Sequence, residues 1–130
     1  SPCVHSILAA SLGRMEHAYT FYLRTSRLDL DDYNKEVHEG LHITSMAGTW
    51  MSIVEGFGGL RMRNGMLHLN PQIPSQWKSY SFKVNFRNHI VTLQVFPESV
   101  VVSNQGDTSL KMYVFEKEVE VSDQPVRVAR

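Results

Sequence analysis

The sequence predicts an α+β protein, with helices in about residues 1–59 followed by an antiparallel β-sandwich in residues 60–130. Apolar residues recur with a helical period in the first part and alternate with polar residues in the second. Glycines at 56, 58 and 59 separate the two patterns. A chain of 130 residues with 42% hydrophobic residues can bury a core without metals or disulfides.

The first two helices form a predicted αα-hairpin. Helix 1 has Ser1 as its N-cap, Pro2 at its first position and Gly13 just past its end. Its apolar face consists of Val4, Ile7, Leu8 and Leu12. Helix 2 follows after a very short turn and runs from Met15 to Ser26. Such a short connection favours antiparallel packing.

The periodicity fails between Leu28 and His42, where acidic residues cluster, and this predicts a long loop. Helical spacing then returns. Thr44 or Ser45 can cap the third helix. Its expected apolar face consists of Met46, Trp50, Ile53, Val54 and Phe57.

About seven short strands are predicted after Leu60. Asn64-Gly65 is a strong signal for a two-residue hairpin, and a second turn is expected at Asn88-His89. Alternating or β-branched segments supply the other strands: 80–86, 91–95, 100–102, 110–115 and 119–121. Short strands separated by turn residues are typical of an antiparallel sandwich.

Composition excludes several function classes. Lys and Arg number 13 and Asp and Glu number 13, so no basic surplus favours nucleic acid or acidic lipid as a partner. No apolar run approaches the roughly 20 residues of a membrane span. The single cysteine, Cys3, cannot form an internal disulfide, which favours a reducing compartment such as the cytoplasm. We expect Cys3 to be a small buried residue.

The segment His38-Glu39-Gly40-Leu41-His42 matches the zinc metalloprotease pattern H-E-x-x-H. That site needs both histidines on one helix face, yet a glycine inside a helix costs about 1 kcal/mol. No apolar periodicity surrounds the segment, and no third ligand is evident downstream. We therefore expect no metal site here.

The start of the third helix is a candidate anion site. His42, Thr44 and Ser45 lie where backbone N–H groups and the helix dipole favour negative charge. An ordinary N-cap beside an exposed histidine explains the same residues equally well. The aromatic residues Trp50, Trp77, Tyr80 and Phe82 likewise leave a sugar-stacking platform open, although their spacing is more typical of core packing.

Four segments resemble the C-terminal part of glycoside hydrolase family 65, the maltose, trehalose and kojibiose phosphorylase family. They are SPCVHSILAASLG, FYLRTSRLDLDDYN, EGLHITSMAGTW and GFGGLRMRNGMLHLNPQIPSQWKSYSFKVNFR. The resemblance implies that residues 1–59 are the last helices of a catalytic (α/α)6 barrel and that residues 60–130 are the C-terminal sandwich. It also implies an intracellular, cytoplasmic enzyme that cleaves an α-glucosidic disaccharide with phosphate, releasing β-glucose 1-phosphate and a free sugar, without a cofactor. Exposed apolar faces of the three helices would favour self-association, and we expect a homo-oligomer.

The same resemblance assigns His42, Thr44, Ser45 and Ser1 to the phosphate site. The family's general acid is a glutamate upstream of this segment, so no catalytic residue is expected here and the segment alone should be inactive. Two alternatives remain at this point. The sandwich could be a non-catalytic module that binds sugar or a partner protein, or the parent could be a hydrolytic member of the family.

Overall fold

A computed structural model describes residues 2–27 and 43–130, with the backbone alone at residues 43–46. It confirms the α+β class. The chain divides into two compact units, Ser1–Phe57 and Gly58–Arg130. The first unit contains helices α1 (Pro2–Ser11), α2 (Met15–Ser26) and α3 (Ile43–Met51), and a π-helical segment (Ser52–Phe57). Within the described ranges, no helix combines the length and hydropathy that a membrane span requires.

Helix α1 ends as the sequence predicts. Gly13 has a φ of 73°, a left-handed conformation that glycine adopts without a steric penalty. Its N–H donates to the Ala10 carbonyl, and the Arg14 N–H donates to the Ala9 carbonyl at 2.8 Å. This pair of bonds is a Schellman motif, which satisfies carbonyls that the helix end leaves without partners. The predicted turn between α1 and α2 is thereby confirmed.

The face of α1 that packs within this unit carries small residues. Ser6 and Ala10 are almost fully buried, and the Ser6 hydroxyl donates to the Ala18 carbonyl of α2 at 2.8 Å. Small side chains let two helix backbones approach closely. The predicted apolar face instead remains half exposed or more at three of its positions: Val4, Leu8 and Leu12.

The second unit contains eight strands in two four-stranded sheets. The first sheet has the order β1-β2-β6-β7 and the second β3-β4-β5-β8. The strands are β1 (Arg61–Arg63), β2 (Met66–Leu69), β3 (Tyr80–Phe86), β4 (His89–Val95), β5 (Ser99–Gln105), β6 (Leu110–Val114), β7 (Lys117–Val121) and β8 (Val126–Ala129). All described pairings are antiparallel except β2 with β6, which is parallel. The expected sandwich is confirmed, with one mixed sheet and an eighth strand, β8, that the sequence did not predict.

The core of the sandwich follows from alternation along the strands, because successive side chains point to opposite faces. The first sheet contributes the buried residues Leu67, Leu69, Met112, Val114 and Val121. The second contributes Phe82, Val84, Val91, Leu93, Val95, Val100, Val102 and Val128. Residues between them point to the outer face of each sheet.

Three two-residue turns have positive φ at both positions, which matches the right-handed twist of the paired strands. The last in chain order is Phe115-Glu116, and the first is the predicted Asn64-Gly65 turn. The second lies at Arg87-Asn88, so the expected turn at Asn88-His89 was wrong by one residue. His89 instead pairs with Phe86 and begins β4.

Asn104 is fully buried and joins three segments of the sandwich. Its amide nitrogen donates to the carbonyls of Thr108 at 3.0 Å and Val121 at 3.2 Å. Its amide oxygen lies 3.0 Å from Nδ1 of His89. Since that oxygen can only accept, Nδ1 carries the proton. The backbone N–H of Asn104 also donates to the Ser122 carbonyl.

Arg130, which follows the last strand, forms hydrogen bonds with two loops. Its Nε donates to the Pro97 carbonyl at 3.0 Å and a terminal guanidinium nitrogen donates to the Pro71 carbonyl at 2.8 Å. The guanidinium carbon lies 4.9 Å from the centre of the Phe115 ring, within range of a cation–π interaction. A single side chain thus connects segments distant in sequence.

Candidate functional site

The first turn of α3 contains two residues of the predicted anion site. The helix begins at Ile43, so Thr44 and Ser45 lie inside that turn and neither is the N-cap. The expectation that one of them caps the helix was therefore wrong. The first four N–H groups of an α-helix have no partner within the helix, and the dipole is positive at this end. The backbone N–H groups of Thr44 and Ser45 belong to this set, which can bind an anion.

The other two predicted site residues, Ser1 and His42, lie outside the described residues, as does the long loop expected between Leu28 and His42. Their assignment to a phosphate site remains a prediction.

Close packing holds the start of α1 against α3. A Cβ atom added to Gly48 would lie 2.9 Å from Cβ of Cys3 and 3.4 Å from Cγ2 of Thr25. The contact with Cys3 leaves no room for a side chain, so the glycine allows α1 to approach α3 about one turn beyond Ser45. Cys3 is buried, and its expected structural role is confirmed.

A π-helical segment follows α3 directly, where the sequence predicts a continuous α-helix. The Ser52 hydroxyl donates to the Gly48 carbonyl at 2.9 Å. A π-turn takes in one more residue than an α-turn, so it rotates the side chains that follow. Val54 and Phe57 are fully buried, whereas Trp50 on the preceding α-helix is 52% exposed. Trp50 therefore does not share a buried face with Val54 and Phe57, although the sequence predicts that it does.

The H-E-x-x-H segment also lies outside the described residues. Across residues 2–27 and 43–130, no three His, Cys, Asp or Glu side chains lie close enough to hold a metal ion.

The aromatic residues of the sandwich pack together instead of forming an open platform. Trp77 meets Tyr80 edge-on at 5.6 Å, and Tyr80 stacks with buried Phe82 at 6.2 Å. Tyr80 also donates its hydroxyl hydrogen to the Gln72 carbonyl at 2.6 Å. Burial raises the pKa of the Tyr80 phenol, with the positive charge of Arg130 acting weakly in the opposite direction.

A depression of about 80 Å³, which the sequence did not predict, lies on the outer face of the first sheet. Arg61, Arg63, His68, Tyr113 and Glu116 contribute to its lining. The rings of His68 and Tyr113 stack across the parallel β2–β6 pair, with centroids 4.6 Å apart. The alternation of arginines in β1 was visible in the sequence. The pairing of β2 with a strand more than forty residues away was not.

Two models of glycosyl hydrolase family 65 match the chain in succession. The model of the central catalytic domain matches residues 1–51, and the model of the C-terminal domain matches residues 60–121.

Individual relatives agree with these matches. Maltose phosphorylase of Bacillus subtilis (strain 168) is 45% identical over 119 residues, which are 92% of this chain and 16% of that protein. Alpha,alpha-trehalose phosphorylase of Thermoanaerobacter brockii is 39% identical over 119 residues, which are 92% of this chain and 15% of that protein.

A solved structure, provisionally described as a kojibiose phosphorylase from human microbiome, is 40% identical and superposes with a TM-score of 0.93. The match covers 100% of this chain and 19% of that structure. The chain thus spans less than a fifth of the length of each of these proteins. It belongs to glycoside hydrolase family 65 and corresponds to the C-terminal part of its members.

Proposed function

We propose that this chain is the C-terminal part of an inverting disaccharide phosphorylase. The proposal rests on one observation: the chain matches the end of the catalytic domain and then the C-terminal domain of a family whose similar members are phosphorylases. The parent protein would cleave an α-glucosidic disaccharide with inorganic phosphate, giving β-glucose 1-phosphate and a free sugar. Residues 1–59 would be the last helices of its catalytic barrel, and residues 60–130 its sandwich domain.

The segment's chemical contribution would be part of the phosphate site. Phosphate is an anion that needs several donors, and the N–H groups of Thr44 and Ser45 in the first turn of α3 are suitable ones. We assign His42 and the hydroxyls of Thr44, Ser45 and Ser1 to the same site. The close contact between Cys3 and Gly48 supports this grouping, since it brings the start of α1 beside α3.

In an inverting phosphorolysis, phosphate attacks the anomeric carbon while an acid protonates the leaving oxygen on the opposite face. The phosphate must be held on the attacking side. The proposed residues would do this by donating hydrogen bonds to its oxygens and by offsetting its charge. The acid would come from the part of the parent that precedes this chain, and no organic cofactor is needed for the reaction as proposed.

The complete parent protein tests the proposal. We expect it to release glucose 1-phosphate from maltose, trehalose or kojibiose only when phosphate is present, with β configuration in the product. Release of glucose without phosphate consumption would show a hydrolase instead. Absence of both reactions would favour a non-catalytic module binding sugar or a partner protein.

Variants of the parent test the phosphate site. His42→Ala and Ser45→Ala should raise KM for phosphate at least tenfold while changing KM for the disaccharide much less, because each removes a donor to a charged group. His17→Ala is a matched control, since His17 is exposed on α2. Equal effects of His17→Ala and His42→Ala would contradict the assignment.

We also propose a cytoplasmic location and a homo-oligomeric parent. The half-exposed apolar face of α1, formed by Val4, Leu8 and Leu12, supports further packing against protein. Sedimentation velocity of the parent tests the second point, which a single monomeric species would refute.

A further inference from the structure

The depression on the outer face of the first sheet has the features of a ligand site. Leu67 and Leu69 of β2 point into the core, so His68 points outward, where it is paired with Arg61 of β1 on one side and Tyr113 of β6 on the other. Arg63 lies two residues after Arg61 on the same face. A row of polar and aromatic side chains therefore crosses three strands.

Several of these groups have no partner in the described part of the chain. The Arg61 guanidinium donates a hydrogen bond to the Leu60 carbonyl at 2.7 Å and has further contacts. By contrast, no hydrogen bond or ion pair within residues 2–27 and 43–130 engages Arg63, the ring nitrogens of His68, the Tyr113 hydroxyl or the Glu116 carboxylate. Asn104 and Arg130, elsewhere in the same sandwich, are fully engaged. Arg63 and Glu116 are exposed and His68 and Tyr113 are half-buried, so these groups are available to a ligand that enters the depression.

The backbone around the depression is fixed by close contact. Gly59 has a φ of 62°, and a Cβ atom added there would lie only 2.7 Å from the Asn70 carbonyl oxygen. No other residue would fit without moving the chain. Glu116 sits in the tight β6–β7 turn with a φ of 64°. The rim is therefore built from constrained backbone, which lowers the cost of ordering the site on binding.

The charges identify the ligand class. Two arginines and a histidine favour an anion, and guanidinium groups bind phosphate with two parallel hydrogen bonds. Glu116 would repel a bare anion but can accept hydrogen bonds from hydroxyl groups. The volume of about 80 Å³ is far below the roughly 300–1,000 Å³ of pockets that enclose a drug-sized ligand, so the depression suits a phosphate group better than a whole sugar ring.

We propose that this depression binds a sugar monophosphate. Arg63 and His68, with Arg61 beside them, hold the phosphate group in the depression. Glu116 and the Tyr113 hydroxyl bind sugar hydroxyls at its rim. This site does not depend on the proposed phosphorolysis, and glucose 6-phosphate, which is neither substrate nor product of that reaction, is a suitable probe.

Calorimetric titration of the complete parent protein tests the proposal, with glucose 6-phosphate, inorganic phosphate and glucose as probes. The His42→Ala background removes a donor from the other proposed anion site, so failure of one site can be distinguished from failure of the other. We expect glucose 6-phosphate to bind more tightly than either phosphate or glucose. Arg63→Gln should weaken its binding about tenfold or more.

Glu116→Gln gives the sharper result. It replaces a charged acceptor of hydroxyl hydrogen bonds with a neutral amide, and it removes a charge that repels the phosphate group of either ligand. Inorganic phosphate gains from the second change alone, whereas glucose 6-phosphate also loses part of its hydroxyl binding, so the preference for glucose 6-phosphate over inorganic phosphate should fall. Lys83→Gln, an exposed cation on β3, is the matched control and should change neither affinity. Thermal unfolding of each variant verifies that it is folded.

Three outcomes would overturn the proposal. Inorganic phosphate and glucose are also substrate and product of the proposed reaction, so only the binding that Arg63→Gln weakens is assigned to the depression. Inorganic phosphate binding there as tightly as glucose 6-phosphate would show a simple anion site, and glucose binding there as tightly would show a neutral sugar site. Equal affinities for glucose 6-phosphate in Arg63→Gln and Lys83→Gln would show that the depression does not bind it.

Discussion

Asn104→Ala removes a buried side chain that connects β5 to two other segments and to His89. Three hydrogen bonds are lost, each contributing about 1 kcal/mol net. Thr108 is exposed and can bond to water, whereas Val121 is fully buried and its carbonyl loses a partner. We therefore expect the free energy of unfolding of the sandwich to fall by about 3 kcal/mol, and by no less than about 2.

Tryptophan fluorescence can follow this unfolding separately. The chain has two tryptophans, of which Trp50 lies in the helical unit and Trp77 in the sandwich. Trp50 is 52% exposed, so a Trp50→Phe background should cost little and leaves Trp77 as the probe. With a slope of about 1.5–2 kcal/mol per molar urea, the midpoint of Asn104→Ala should fall by about 1.5–2 M.

Asn85→Ala is the matched control, because Asn85 is an exposed asparagine on β3 and should shift stability by no more than about 0.5 kcal/mol. Combining Asn104→Ala with His89→Ala should cost less than the sum of the two single changes, since both remove one shared hydrogen bond. An Asn104→Ala midpoint within error of the Asn85→Ala midpoint would refute the reasoning.

Three further variants test the packing. Gly48→Ala should destabilise the helical unit by about 1–2 kcal/mol, seen as an earlier loss of helical circular dichroism, because overlap with Cys3 outweighs the gain of roughly 1 kcal/mol in helix propensity. Burial raises the pKa of Tyr80, so the contribution of its phenol to the free energy of unfolding is complete below the unfolded-state pKa of about 10 and declines at higher pH. Tyr80→Phe should therefore reduce the slope of stability against pH between pH 10 and 11.5, and an unchanged slope would contradict this. Arg130→Ala should lower the urea midpoint more than Arg130→Lys, because alanine leaves two carbonyls and the Phe115 ring without a partner whereas lysine keeps a cation; equal midpoints would show that the retained charge contributes nothing.

The turns show how far the sequence predicts the sandwich. Asn64-Gly65 was predictable because asparagine and glycine both tolerate positive φ. At Phe115-Glu116 neither residue favours that conformation, which costs about 1–2 kcal/mol for each ordinary residue. Pairing of the flanking strands β6 and β7 offsets this cost, and such tertiary effects leave no local signal in the sequence.

The helical part was predicted in outline but not in detail. The spacing of Val4, Leu8 and Leu12 identifies α1 correctly, yet their face stays largely exposed because the packing within this unit uses small residues. Helical periodicity also predicts a helix through Phe57 without distinguishing an α-turn from a π-turn.

The candidate sites were predictable to different degrees. Thr44 and Ser45 could be placed near a helix start because capping residues and apolar spacing are local features. The depression around His68 could not, because it depends on the register that sets His68 against Tyr113. That register is decided by packing across the whole sandwich.

The parallel pairing of β2 with β6 also has a consequence for the order of folding. Strands β3, β4 and β5 are joined to one another by short connections, so they can associate early, but β2 must wait for a strand that follows residues 70–109. During synthesis, the β1–β2 hairpin is therefore finished well before its partner emerges. An isolated hairpin is marginally stable and its free edge can pair with other chains. Premature termination before Leu110 should accordingly give an aggregating product rather than a smaller folded one.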